Sequence, residues 1–532
     1  MYLAFSNLNI RFESFLLQWT VPIQLNPSIL SKSAFDYYHK NTIIHKQYQI
    51  KSLSLSNSFV VNLMFKAYSF PLLSNYSQLQ TLILNNIEKR HVINILKSLR
   101  TLPNLHSLTI LCHEKSKNPV KYFLELFQLP VLKYCRVKFE TYSVHSLFRL
   151  LDDSDSSIEH LIIDSNIWIA NLNSLLSGKS KLRYLTVNQL CGNTYGPIMH
   201  CSRLKKPLTK LIITKLMISF EFFKSFIKTH GEHLEILHLS QMNDSHYFNA
   251  NDWEQLIMSS MPNLKTFSVH FRFTIDNRPS LKLILRQFHT SFWLERQWFF
   301  EHNISTVSYK ITVDFYSINP FSMKKFIIIA NNHQTFGKKI PLKSVNHVVI
   351  ENTNAIINCQ NTFPSATKLT LTCNDQDFSS LSTILRLEQL TTLHIKAFPN
   401  SFVFLIELLN IIPNIKTLIF DYYGDFSRKI ELLSKTNQIK RLIISKQLSF
   451  EKIQFLIRLC PQLEYLRIEK YSDLRSILLF LLSNTRHLHF ICIHDFTKSD
   501  FNRTLSMIKY NQLLKNFTMD FVSELRICYI WW

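Results

Sequence analysis

Cys191, His200 and Cys201 lie close together in this 532-residue chain and are of types that could in principle hold a metal ion. Two thiolates and an imidazole suit zinc, but a tetrahedral site needs a fourth ligand that this cluster does not supply, so a loop is the simpler reading. There is no Cys-x-x-Cys pair and no His-Glu-x-x-His. The six glycines, Gly178, Gly192, Gly196, Gly231, Gly337 and Gly424, form no phosphate-cradling loop. A Gly-x-Ser-x-Gly nucleophile turn is also missing. His230 and His233 flank Gly231 where a helix is expected to end, a place that suits cationic side chains. The expectation is of no enzyme, no cofactor and no metal.

Recognition chemistry is better represented. Tyr134, Arg136, Lys138 and Tyr184 form one group, and Arg441, Tyr465, Arg467 and Glu469 another. Tyrosine and arginine bury area while keeping a polar handle, which is why they recur at binding hot spots. The alternative reading of these eight is ordinary exposed strand residues. A third cluster is aromatic, Phe288 to Phe300 with Trp293 and Trp298, and is expected to fill a junction by packing, with a partner anchor as the alternative.

The elements that must position these residues follow from one recurring pattern: apolar, two residues, apolar, one residue, apolar. It reads Leu79-Gln-Thr-Leu82-Ile-Leu84, Leu105-His-Ser-Leu108-Thr-Ile110 and Leu463-Glu-Tyr-Leu466-Arg-Ile468. First residues fall at 50, 79, 105, 132, 158, 182, 208, 234 and 264, and again at 345, 366, 390, 415, 439, 463, 488 and 514. Period-two apolar spacing makes each core a short strand. Apolar helical stretches precede several cores and stop at Pro413 and Pro461, with Pro103 and Pro262 in the same place, because proline cannot continue a helix. A repeat of this length implies an array in which each unit packs on its neighbours.

Composition sets further bounds. Apolar residues make up 46% of the chain, enough for a continuous core. No run approaches the roughly 18 apolar residues of a membrane span, so no membrane contact is expected. Nine scattered cysteines suit reduced thiols, pointing to a cytoplasmic or nuclear protein. The net charge of +23 permits nucleic-acid binding.

The pattern resembles leucine-rich repeats over roughly residues 48–520. That resemblance implies an α/β leucine-rich-repeat solenoid, a horseshoe with parallel strands on the concave face and helices on the convex face. Alternate strand positions would face the concavity. Seven of them are basic (Arg136, Lys138, Lys210, Lys368, Lys396, Arg441, Arg467) and five acidic (Asp164, Glu351, Asp421, Glu469, Asp520). This is no basic enrichment, so a nucleic-acid groove is disfavoured. The expected partner is a protein substrate on the concave face.

Cys460-Pro461-Gln-Leu463-Glu-Tyr-Leu466 is similar to the cysteine-containing repeat of F-box proteins, although His113, Leu190, Met242 and Arg272 replace the usual Asn or Cys elsewhere and leave the subtype open. Ala4-Phe5-Ser6-Asn7-Leu8-Asn9-Ile-Arg11-Phe12 is similar to the second half of an F-box. The family's opening Leu-Pro-x-Glu does not occur in the sequence. The F-box would then be shortened, in a truncated gene or in a copy that has lost adaptor binding. The resemblance implies the substrate-recognition subunit of a Skp1–cullin–F-box ubiquitin ligase, acting in ubiquitin-dependent protein catabolism. Phe5, Leu8, Phe12 and Leu16 would contact the Skp1-like adaptor. The alternative for residues 1–17 is an amphipathic helix capping the first repeat.

The organisation expected is a partial F-box-like segment or cap at 1–17, a linker at 18–47 and repeats at 48–275. An irregular aromatic-rich repeat or junction follows at 276–340, then repeats at 341–520 and a tail at 521–532, whose apolar end lacks a polar cap and suggests an incomplete chain. Two other functions fit the array: a repeat scaffold without a ligase link, and a nucleic-acid-binding solenoid using another face.

Overall fold

The computed structural model describes residues 23–25, 31–44, 47–55, 61, 75–85, 87–116, 120–141, 156–177, 181–192, 208–242, 245–275, 286–307, 310–319, 324–328, 340–351, 354–357, 359, 361–372, 378–396, 402–421, 437–514, 516–523 and 525–532. It divides into two compact units: residues 1–30 with 34–210, and residues 31–33 with 211–532. The architecture is mixed α/β, with long parallel ladders and helices between successive strands.

The first unit builds its sheet in sequence order from β1 (Ile23–Leu25), β2 (Ile50–Leu55), β3 (Thr81–Asn85), β4 (Ser107–Ser116), β5 (Tyr134–Thr141), β6 (His160–Trp168) and β7 (Tyr184–Cys191). Every neighbouring pair is parallel. The repeated leucine sets the register: Leu53, Leu82, Leu108, Cys135, Leu161 and Leu185 lie side by side, all buried. Cys135 takes a leucine slot as a small hydrophobe.

The second unit opens with β8 (Lys210–Met217), β9 (Ile236–Met242) and β10 (Thr266–Ile275), with helices α1 (Phe220–His230) and α2 (Ala250–Ser260) between them. Here the parallel series is interrupted. The sheet continues through β12 (Lys310–Asn319) to β11 (Phe299–Val307), both pairings antiparallel. Beside them Phe288, Trp293 and Trp298 are buried, stacked among Phe267, Phe300 and Phe315. The aromatic segment is therefore core.

A ten-stranded sheet follows. Its parallel part is β13 (Lys325–Ile328), β15 (His347–Ile350), β17 (Lys368–Leu371), β18 (Thr392–Ile395), β19 (Thr417–Phe420), β20 (Arg441–Ile444), β21 (Tyr465–Ile468) and β22 (Phe490–Ile493). The two-residue strands β14 (Ile340–Pro341) and β16 (Asn361–Thr362) pair separately. The segment expected as a tail contributes strands. β24 (Ile527–Trp531) pairs antiparallel with β22 on one side and β23 (Thr518–Val522) on the other.

Inward-pointing residues of this sheet, such as Leu369, Leu393, Leu418, Leu442 and Leu466, form one core with Leu408, Leu456 and Leu478 of helices α3 (Phe402–Ile411), α4 (Phe450–Leu459) and α5 (Leu474–Asn484). Burial of such apolar side chains stabilises by about 1.5 to 3 kcal/mol each. The alternate strand residues point away from the helices and form the open face.

Polar groups fix the repeat spacing. Carbonyls just before most of the parallel strands accept two N–H groups from the next repeat: Glu159 from Arg183 and Tyr184, and Lys440 from Glu464 and Tyr465. Asparagines after the helix-ending prolines tie down the preceding turn, Asn263 Nδ2 donating to Glu232 O and Asn414 Nδ2 to Glu388 O. Gly231 is required by close approach: a Cβ there would lie 2.6 Å from Ile227 O and 2.8 Å from Ser260 O.

Candidate functional site

On the open face of the first unit, Tyr134, His160 and Tyr184 occupy one row across β5, β6 and β7. Their rings meet edge to face or tilted, at 4.9 and 5.4 Å. Arg136 lies two residues along from Tyr134 and donates from Nε to Asp164 Oδ2 at 2.5 Å. Lys138 continues the same edge of β5. The four residues expected here are thus neighbours, and His160 joins them. Burial and then Lys210 hold its imidazole below the ordinary value, so it is neutral at pH 7.

The second expected group is also assembled. Arg441 and Tyr465 are register partners on β20 and β21, and the Arg441 guanidinium lies over the Tyr465 ring at 4.5 Å. Tyr465 stacks on Phe490 at 5.3 Å and 9°, and Phe490 meets Tyr529 at 6.0 Å. Arg467, facing the same way, pairs with Glu469 at 2.9 Å. Burial pushes the Tyr465 hydroxyl up from its ordinary range and raises the neighbouring Cys492 thiol to about 12, so neither ionises near neutrality. The arrangement is a cation over the first of a run of packed rings, a geometry in which the guanidinium is attracted to the ring face.

A third group was not singled out by sequence. Lys325, His347 and Lys368 are register partners on β13, β15 and β17. His394 and Lys396 lie further along the same face, in and just after β18. His347 Nε2 is 2.8 Å from Thr370 Oγ1. Burial first, then the surrounding lysines, take His347 and His394 down to about 4. The same two causes lower Lys325 and Lys368. Bordering this group, Arg272 grips Asp314 through two bonds of 2.6 and 2.8 Å, with His270 Nε2 at 3.3 Å. Burial works to raise the Asp314 carboxyl, but those bonds outweigh it and hold it below its ordinary value.

Among the described residues no three His, Cys, Asp or Glu side chains could hold a metal ion, and no helix is long and apolar enough to cross a membrane. His200 and Cys201 lie outside the described residues, as do Phe5, Leu8, Phe12 and Leu16.

No protein-family model matches the chain, and no curated protein matches it. Among solved structures it is similar to a leucine-rich-repeat protein of Leptospira interrogans, at 13% identity and a TM-score of 0.23, over 85% of this chain and 97% of that one. The repeats described above rest on the strand register alone.

Proposed function

We propose that the chain is a leucine-rich-repeat protein that binds protein partners on its open sheet faces, as the substrate-recognition subunit of a Skp1–cullin–F-box ubiquitin ligase. The observation that supports partner binding best is Arg441 lying over Tyr465, whose ring is stacked on the buried Phe490. Rings held rigid by stacking lose little entropy when a partner covers them, which is what makes aromatic and arginine residues effective anchors. Tyr134, Arg136, Lys138 and Tyr184 offer a second such surface in the first unit. The protein would act by binding, with ubiquitin transfer belonging to other subunits. The adaptor role rests on the F-box-like residues 2–17. Arg441, Tyr465, Arg467 and Glu469 would contact the substrate.

Co-purification with Skp1 tests the ligase link. The intact chain should retain Skp1, and a chain lacking residues 1–17 should lose it while keeping its circular dichroism spectrum. Retention by neither chain would remove the ligase role and leave a repeat scaffold, and equal retention by both would take adaptor binding away from residues 1–17.

A further inference from the structure

The strands β22, β24 and β23 end the ten-stranded sheet, and β24 carries Tyr529, whose ring meets Phe490 beside Tyr465. β23 is an edge strand, and all its residues are only half buried. Elements with little burial are the first to open locally. The hairpin of β23 and β24 is closed at Val522 and Ile527 and open at Thr518 and Trp531. One residue distant in sequence pins the open end. The backbone N–H of Lys32 donates to Trp532 O at 3.0 Å, just past β24, and the Lys32 ammonium donates to Asn516 Oδ1 at 2.7 Å, just before β23. Lys32 opens the helix Lys32–Tyr38, and an N–H in a first helical turn has no acceptor within its own helix, so it is available for this bond. The Trp532 N–H in turn donates to His489 O, next to Phe490. Ser31–Ser33 accordingly count with the second unit.

We infer that Ser31–Ser33 is a clasp: through Lys32 it holds the open end of the β23–β24 hairpin shut and so fixes Tyr529 beside Phe490. A chance touch would use one long side chain. Here the backbone and the side chain of a single residue reach both ends of the hairpin, next to the register partners Thr518 and Trp531. The order of β24 thereby depends on a segment 484 residues away from Asn516 in sequence. Whatever draws Ser31–Ser33 away loosens β24, and a partner that orders Tyr529 tightens the clasp, because such coupling is reciprocal. The effect is local: Leu442 of β20 and Leu466 of β21 are fully buried and do not need it. The consequence for a partner rests on the proposed function, but the clasp does not, so its test reads backbone exchange and uses no partner.

The test is amide hydrogen exchange of the full chain, read by mass spectrometry over residues 527–532, with 441–468 as the internal reference. Lys32→Pro removes the N–H and keeps the helix, because proline is tolerated at the first helical position. It should speed exchange over 527–532 about fivefold, the size of one hydrogen bond. Lys32→Ala and Asn516→Ala leave that N–H in place and should each speed it about twofold, with the reference unchanged. Added to Lys32→Pro, Asn516→Ala should do less than it does alone, because both bonds hold one residue. Unchanged exchange over 527–532 in the double variant Lys32→Pro, Asn516→Ala would overturn the clasp. An equal rise over 441–468 would overturn it too, since that marks general loosening and not the release of one end.

Discussion

The ten-stranded sheet carries two open-face stretches on one kind of frame. Under both run the same buried rows: Leu369 and Leu393 below the lysines, Leu442 and Leu466 below the aromatics, all fully buried. Above them the chemistry differs. On β20 to β24 the groups pair with one another, Arg441 on Tyr465, Tyr465 on Phe490 and Arg467 on Glu469. On β13 to β18 the lysines repel one another, and two imidazoles are kept uncharged among them. The buried row sets the fold and is nearly interchangeable between repeats. The open row is free to store either packing or strain, and that freedom is where function can reside.

The comparison can be broken from several sides. The largest effects belong to the shared frame: Leu369→Ala and Leu466→Ala should each cost about 2 to 5 kcal/mol by urea denaturation. Unequal costs, with one near zero, would mean that the two stretches do not share a core. Tyr465→Ala should cost less, about 1 to 2 kcal/mol, because it removes a half-buried ring and its cation. No loss there would show that the aromatic row is not self-supporting.

Acid sharpens the contrast. His347 and His394 have folded-state values of about 4 against 6.5 when unfolded. The unfolded chain therefore takes up protons first, and stability falls as pH drops from about 6.5 towards 4. The depressed Asp314 works in the same direction, its contribution being lost as pH falls through its folded value. His347→Gln and His394→Gln should flatten a urea-midpoint profile over this window, and an unchanged slope would contradict the assignment. The smallest effect is expected at Arg136→Ala, within about 1 kcal/mol, because its pair with Asp164 is exposed to water.

Much of the frame was legible in the sequence. Leu-x-x-Leu-x-Ile fixes both the strand and its buried side, so the parallel ladders follow from residues such as Leu82 and Leu108. The antiparallel return of β12 on β10 was not, because an apolar alternation like that of Val313 and Phe315 carries no sign of strand direction. Arg441 with Tyr465 was visible because equal positions in neighbouring repeats become register partners, and Tyr134 with Tyr184 because two such steps carry one row across β5, β6 and β7. His160 was passed over, although its place between the two tyrosines follows from the same rule. The lysine group escaped because counting charge over every strand dilutes a cluster confined to a few, and because Lys325 lies in the irregular stretch 276–340.

The difference between the two stretches is tested most directly by the variant Lys325→Met, Lys368→Met, Lys396→Met in a series of salt concentrations. Relief of like-charge repulsion predicts a higher urea midpoint than that of the unmodified chain at low salt, equivalent to about 0.5 kcal/mol of stability, with the gain shrinking as salt screens the lysines. A midpoint that falls, or a gain indifferent to salt, would contradict the account.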